Sequence, residues 1–397
     1  HITGVVPNNE AIVAVAQKVL GVETMSILVV GLLMNLCIAR FTKFKYVFLT
    51  GHHSLFMACL MSAVLGTAGL SGMELILVGG FLMGAWSAIS PAIGQSYTSK
   101  VTDGDEIAIG HFGSLGYYLS AWVAKYVGKA EDSTEDIEIP EKWGFLRDST
   151  LSTALTMIVF YLIAAFAAGS EFVATLSGDM SPYLYAVMSA MNFAVGVTIV
   201  YSGVRMILGD LIPAFQGIAT KIIPNAIPAV DCAVFFTYAP TAVVLGFLSS
   251  FIGGIIGMFI LGAVGGVLII PGLVPHFFCG ATAGIYGNAT GGRRGAAVGA
   301  FLNGLAITFL PALALPVLGQ LGFQNTTFGD ADFAVMGLVL GNAYEWVGMA
   351  GIYGIVAIAA LVLIIPNFIK TKSKCYINSR RNGISSKSIS RNSKTNR

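Results

Sequence analysis

A succession of apolar runs of near-bilayer length, broken from within by glycine and proline, constrains this chain more than any single motif. Residues 22–39, 55–70, 74–93, 151–173, 183–208, 240–264, 297–318 and 337–364 each read this way. Runs approaching 18 residues with few charges suggest bilayer spans. Charged residues make up only 11% of the 397-residue chain and apolar residues 55%. A soluble domain carries about 25% charged residues, so this one lacks the charge to coat a water-facing surface. The fold class is therefore an all-α polytopic membrane protein, with roughly 8–9 transmembrane helices plus two re-entrant regions.

The 48 glycines fall inside the apolar runs rather than between them. Small residues there let helices approach closely, and broken segments at membrane depth survive only against protein or a wet cavity. Gly/Pro-interrupted hydrophobic segments point to a transporter more than to an anchor. Two regions stand out. Residues 107–128 carry His111 among glycines and read as a re-entrant hairpin. Residues 268–295 hold Pro271, Pro275 and a dense run of glycines, and read as a second broken region.

Charge is unevenly placed. The formal net charge is +2, but residues 370–397 carry nine Lys/Arg and no acid, leaving 13 basic against 20 acidic residues in the body, a net −7. The domain reading is a membrane-embedded unit over 1–369 with an acidic loop at 129–149, followed by a basic tail expected to be disordered and cytoplasmic. Without interleaved aromatics the tail does not suggest nucleic-acid binding. The start at His1 without a charged leader suggests that earlier segments are missing. Leu211 to Ile223 is too polar to span and is expected along the membrane surface. Pro91 and Gly94 are expected to close the 74–93 span.

The polar residues at membrane depth carry the chemistry. His52 and His53 sit directly behind Gly51 and ahead of an apolar run. They form either one wall of a substrate cavity or a wet helix end. Asp231 is delivered into an apolar run after Pro224 and Pro228, where a carboxylate must meet a donor, a basic residue or a substrate hydroxyl. Asn8, Asn9 and Glu10 follow Pro7 as a helix-start cluster. No HExxH, GxSxG or Walker pattern appears, and the five cysteines lack metal spacing, so no catalytic residue, cofactor or metal is read. The scatter Asn9, Glu10, His52, His53, Ser54, His111 and Asp231, with Phe56 and Phe112, suits a polyhydroxylated small molecule. A weak internal symmetry would pair His52/His53 and His111 in one half with Asp231 and the region to Arg294 in the other.

The stretches LTGHHSLFMA (49–58), KVTDGDEIAIGHFGSLGYYLSAW (100–122), IIPNAIPAVDCAVFFTYAPTAVVLGF (222–247) and LIIPGLVPHFFCGATAGIYGNATGG (268–292) resemble the ascorbate-type enzyme IIC of the bacterial phosphoenolpyruvate-dependent sugar phosphotransferase system. The resemblance runs from about residue 4 to about 366. It implies a homodimer whose protomers each have a core domain and a V-shaped domain. It also implies a sugar phosphorylated by a phosphocysteine on a separate EIIB protein, itself charged by EIIA. Carried over by motif, ligand contacts fall at Asn9, Glu10, His52 to Phe56, His111, Phe112 and Asp231. This chain has Phe56 and Phe112 where the best-known ascorbate carriers have glutamine, and Asn9–Glu10 where they have Thr-Tyr. Ascorbate leads as substrate, with a related sugar acid or pentitol-like molecule beside it. The rival from another class is a proton-coupled secondary transporter using Asp231; a non-transporting scaffold is a third reading.

Overall fold

A computed structural model describes residues 4–104, 106–138, 142, 149–318 and 326–369. The acidic loop beyond residue 138, apart from 142, and the basic tail lie outside them. The chain begins with strand β1 (Val6–Pro7) and helix α1 (Asn9–Phe41). Strand β2 (Tyr46–Phe48) leads into α2 (Gly51–Thr67) and α3 (Gly72–Thr102). Strand β3 (Ala108–Ile109) precedes α4 (Ser114–Val127), and α5 (Ser149–Ala168), α6 (Ser170–Ser177) and α7 (Pro182–Lys221) follow. Strand β4 (Ile227–Val230) leads into the short α8 (Cys232–Phe235), then α9 (Pro240–Ala263) and α10 (Leu273–Leu318). Strand β5 (Thr326–Thr327), α11 (Ala331–Val347) and α12 (Met349–Phe368) complete the order.

Seven of these helices are long and apolar enough to cross a bilayer, among the described residues. The protein is a multi-pass membrane protein. The count falls below eight because the apolar runs are cut and joined differently. The 55–70 run lies in α2, whose 17 residues fall short of a full span, and 337–364 splits into α11 and α12 at Gly348, whose φ is +66°. The run at 297–318 is instead continuous with the segment before it. In α10 the backbone turns at Gly291 and Gly292, the latter with φ +60° and ψ −156°, a combination open only to glycine. Gly287 and Gly295 then lie backbone against backbone across the bend. That is the second broken region, realised as a helical hairpin. Residues 107–128 come in as strand β3 and leave as α4, whose 14 residues cover roughly 21 Å at 1.5 Å per residue. That is too short for a hydrocarbon core of about 30 Å.

Two expectations are corrected. Pro91 does not end its helix: α3 runs through it for 31 residues. A missing donor is tolerated in membrane helices when neighbours hold the segment. Here Tyr118 Oη donates to Ser90 O at 2.9 Å, and its ring covers Gly94. Residues 211–221 do not form a separate surface element but continue α7, which is 40 residues long with Pro213 inside it. At roughly 60 Å, twice the hydrocarbon thickness, α7 carries its polar end beyond the apolar region as one rod.

The few strands matter most. β2, β4 and β3 form a parallel triad with β4 in the centre, Phe48 and Ala108 both opposite Ala229. Leu49 N and Gly110 N extend the ladder to Ala229 O at 2.9 Å and Val230 O at 2.7 Å. A second parallel set joins β1 to β5 and bridges Val5 to Ile269. Extended backbone at membrane depth needs internal partners for its N–H and C=O groups, and each set supplies them. This regroups the internal symmetry. The strands leading to His52/His53, His111 and Asp231 belong to one triad, while those leading to Asn9, Leu273 and Asp330 belong to the other set. Strands two to four residues long pair by spatial proximity, so chain order does not reveal the grouping.

Candidate substrate site

Each strand of the first triad ends just before a polar side chain. β2 hands over to Thr50 and the start of α2, placing His52 and His53 in its first turn; β3 hands over to Gly110 and His111; β4 hands over to Asp231, which caps α8. The second set does likewise with the starts of α1, α10 and α11. The result is a cavity of about 620 Å³ lined by Asn9, Glu10, His52, His53, Phe56, His111 and Asp231 among others. Seven of the nine side chains singled out from the sequence therefore share one wall. Ser54 and Phe112 do not line it. Ser54 is buried and its Oγ donates to Thr50 O at 3.2 Å, while Phe112 stacks on Phe48 with centroids 4.5 Å apart.

Hydrogen bonds determine the histidine tautomers. A backbone N–H can only donate, so a ring nitrogen facing one must offer a lone pair. Phe112 N–H points at His53 Nδ1 at 3.3 Å, and Gly113 N–H at His111 Nδ1 at 3.1 Å. Tyr117 Oη lies 2.7 Å from His111 Nδ1 and 3.6 Å from Cys279 Sγ. Both neutral rings therefore carry their proton on Nε2, leaving two N–H donors for the cavity. The rings lie 3.7 Å apart, and His53 also stacks on Phe333 at 5.7 Å. His52 is half exposed, its Nε2 3.5 Å from Asp231 Oδ2.

His53, His111 and Asp330 each offer an atom within 4.8 Å of the others, a spacing that a metal ion would accept. The donor set argues against one. A histidine bound to metal through Nε2 donates from Nδ1 to a second partner. Here both Nδ1 atoms accept instead, so both Nε2 atoms are protonated and cannot ligate.

Asp330 is the cavity residue the sequence reading missed. It is 5% exposed, directly precedes α11 without a capping side-chain bond, and accepts Asn9 Nδ2 and Cys279 Sγ, each at 2.8 Å. In the sequence it reads as one more helix-start residue. The available signal was a second aspartate two residues on, at the head of an apolar helix. Asn9 proves to be a brace as well as a wall, because its Oδ1 accepts Gly329 N–H at 3.0 Å; the neighbouring Asn8 is the cap of α1. Asn9→Ala is expected to destabilise the purified protein by about 1.5–3 kcal/mol, since a largely buried carboxylate loses a donor and a backbone N–H its acceptor. Thermal unfolding in detergent measures it.

Magnitudes bound what the cavity accepts. Four helices of eight residues or more, α1, α2, α10 and α11, begin at its wall. Each N-terminus carries roughly half a positive charge, about two in all. Asp231 and Asp330 offset that sum, with Glu10 at the exposed rim. The wall is close to electrically balanced and rich in both donors and acceptors.

Membrane-spanning helices broken around such a cavity define a polytopic membrane transporter, with interrupted segments directing their N-termini at the site. A family model, EIIC-GAT, the PTS system sugar-specific permease component, matches residues 1–332, and the chain belongs to this family. An "Ascorbate-specific PTS system EIIC component" from Mycoplasma pneumoniae is 27% identical over 368 residues, which is 80% of this chain and 55% of that relative. The chain thus spans about half the length of the curated relative it matches.

Proposed function

We propose that the cavity binds L-ascorbate or a closely related sugar acid or polyol and that the protein carries it across the bacterial inner membrane. The observation that carries this reading is the pairing of two Nε2–H donors, on His53 and His111, with the carboxylates of Asp231 and Asp330 around one cavity. Hydroxyl groups both donate and accept, so a polyhydroxylated ring satisfies both kinds of group at once. A near-balanced wall tolerates one delocalised negative charge. Phe56 at the wall presents an apolar face, which suits the carbon skeleton of a small ring. The ascorbate-specific relative supports ascorbate as the leading candidate.

Transport is coupled, in this reading, to phosphorylation by a separate EIIB protein charged by EIIA. The phosphoryl group passes from an EIIB cysteine sulfur to a substrate hydroxyl: the S–P bond breaks, an O–P bond forms, and the hydroxyl proton leaves. This chain supplies no covalent step. Its own part is to bind, orient and release. A phosphoryl group adds about −1.5 to −2 charge, which Asp231, Asp330 and Glu10 disfavour in the cavity, so phosphorylation favours release. The protomers act as a homodimer, each with a core and a V-shaped domain within 1–369, and the basic tail faces the cytoplasm.

The Asp231–His52 pair at the cavity wall is the one feature favouring proton-coupled uptake instead. Vesicles carrying the protein separate the two. With phosphoenolpyruvate and the soluble phosphotransferase components, wild-type protein is expected to accumulate phosphorylated substrate, and Asp231→Asn is expected to lower that uptake roughly tenfold to a hundredfold by weakening a hydrogen bond to a charged acceptor. Uptake of unmodified substrate driven by a proton gradient alone would contradict this reading.

A further inference from the structure

Asp332 does not line the cavity, yet its carboxylate accepts three hydrogen bonds from two other helices. It is completely buried in the first turn of α11. Ser114 Oγ donates to its Oδ2 at 2.8 Å, Trp86 Nε1 to Oδ2 at 3.2 Å, and Leu115 N–H to Oδ1 at 2.9 Å. Its own N–H donates to Phe112 O at 2.9 Å. One residue therefore holds both ends of the 112–115 turn, and ties α11 to α3 and α4.

The Phe112 carbonyl is the informative contact. It shares a planar trans peptide with the Gly113 N–H, and the two point in opposite directions. Pinning that carbonyl from α11 aims the Gly113 N–H the other way, at His111 Nδ1. The preceding Phe112 N–H reaches His53 Nδ1. The backbone that selects both tautomers is thus anchored on a residue that touches neither ring.

We propose that Asp332 is a positioning residue: through the Phe112–Gly113 peptide it holds His53 and His111 with their Nε2–H groups facing the cavity. The proposal rests on the reading of that cavity as the substrate site, but its structural half stands apart from any ligand. Without the carboxylate's hold on Ser114 and Leu115, the turn that presents Phe112 O to the Asp332 N–H loosens. The peptide can then rotate, Nδ1 can take the proton, and a cavity donor becomes an acceptor. A site built to donate then faces substrate oxygen with a lone pair, and binding weakens.

The experiment is ¹⁵N NMR of histidine-labelled full-length chain in lipid nanodiscs, paired with L-ascorbate titration. In wild type, His53 and His111 are expected to show bare Nδ1 and protonated Nε2. In Asp332→Asn, which sets a side-chain N–H against Trp86 or Ser114, a second tautomer population is expected, with ascorbate affinity roughly tenfold to a hundredfold lower. Ser114→Ala should move the same signals in the same direction, and Ser114→Thr, which keeps the hydroxyl, should leave them as in wild type. Ser114→Ala carries the test if Asp332→Asn does not fold. Unchanged imidazole signals in a folded Asp332→Asn or Ser114→Ala protein would overturn the proposal. If wild type binds no ascorbate, the tautomer signals still decide the role of Asp332, while the substrate assignment alone fails.

Discussion

Uptake by His111→Ala is expected to fall to background while the protein still reaches the membrane. His111 combines three roles. It lines the cavity, its Nε2–H serves as a donor, and its Nδ1 accepts from Gly113 N–H beside Tyr117 Oη. Losing the donor to a charged substrate group costs about 1.5–3 kcal/mol, roughly tenfold to a hundredfold in affinity. Tyr117 keeps its contact with Cys279 Sγ at 3.6 Å, so the loss falls mainly on binding. His276 provides the control. It is equally buried but bonds Ser250 Oγ at 2.9 Å, away from the cavity lining. His276→Asn is expected to lower thermal stability without changing which ligand binds. Vesicle uptake beside detergent unfolding separates the two effects. Near-normal uptake by His111→Ala would remove His111 from the site.

Gly284→Val is expected to cause a large loss of stability from outside the site. Between lipid-embedded helices the driving force is close packing, and small residues spaced four apart permit it. Gly280 and Gly284 on α10 face Gly246 on α9 with that spacing. A Cβ on Gly284 would lie 2.6 Å from both Ala242 O and Gly246 Cα, atoms that move only with the whole backbone. Overpacking of this kind costs about 1–3 kcal/mol where side chains can yield, and more where they cannot. Because α10 also begins at the cavity wall, separation of α9 and α10 should reduce ligand-induced stabilisation too. Gly217→Val on α7, where a Cβ meets nothing within 4 Å, serves as the matched surface control. Equal melting temperatures for the two variants would contradict the packing account.

What the sequence made legible follows from which forces act locally. Bilayer length and the polar cost of membrane depth are local, so the spans, the two broken regions, and His52, His53, His111 and Asp231 could be read directly. Phe112 stands next to the cavity residue His111, but its ring packs on Phe48 and its backbone N–H reaches His53, which a residue type alone does not reveal. Asp330 was not legible, because a helix-capping aspartate and a cavity-lining aspartate look the same until strand pairing brings β1 beside β5. The triad of β2, β4 and β3 was invisible for the same reason. Its strands are two to four residues long, with 117 residues of chain between β3 and β4, and no periodicity to betray them. Pro91 misled because a proline that stops a helix in water can continue one where neighbouring helices hold it.

The measurement that bears most directly on the central claim is ligand-dependent thermal stabilisation of the purified protein against L-ascorbate, other sugar acids and neutral pentitols. A ligand at a hundredfold excess over its Kd stabilises the folded state by about 2.7 kcal/mol. A shift is expected with ascorbate or another singly charged sugar acid, reduced in Asp231→Asn and His111→Ala and retained in His276→Asn. Stabilisation that survives both Asp231→Asn and His111→Ala, or no stabilisation by any member of the panel, would contradict the claim that this cavity is the substrate site.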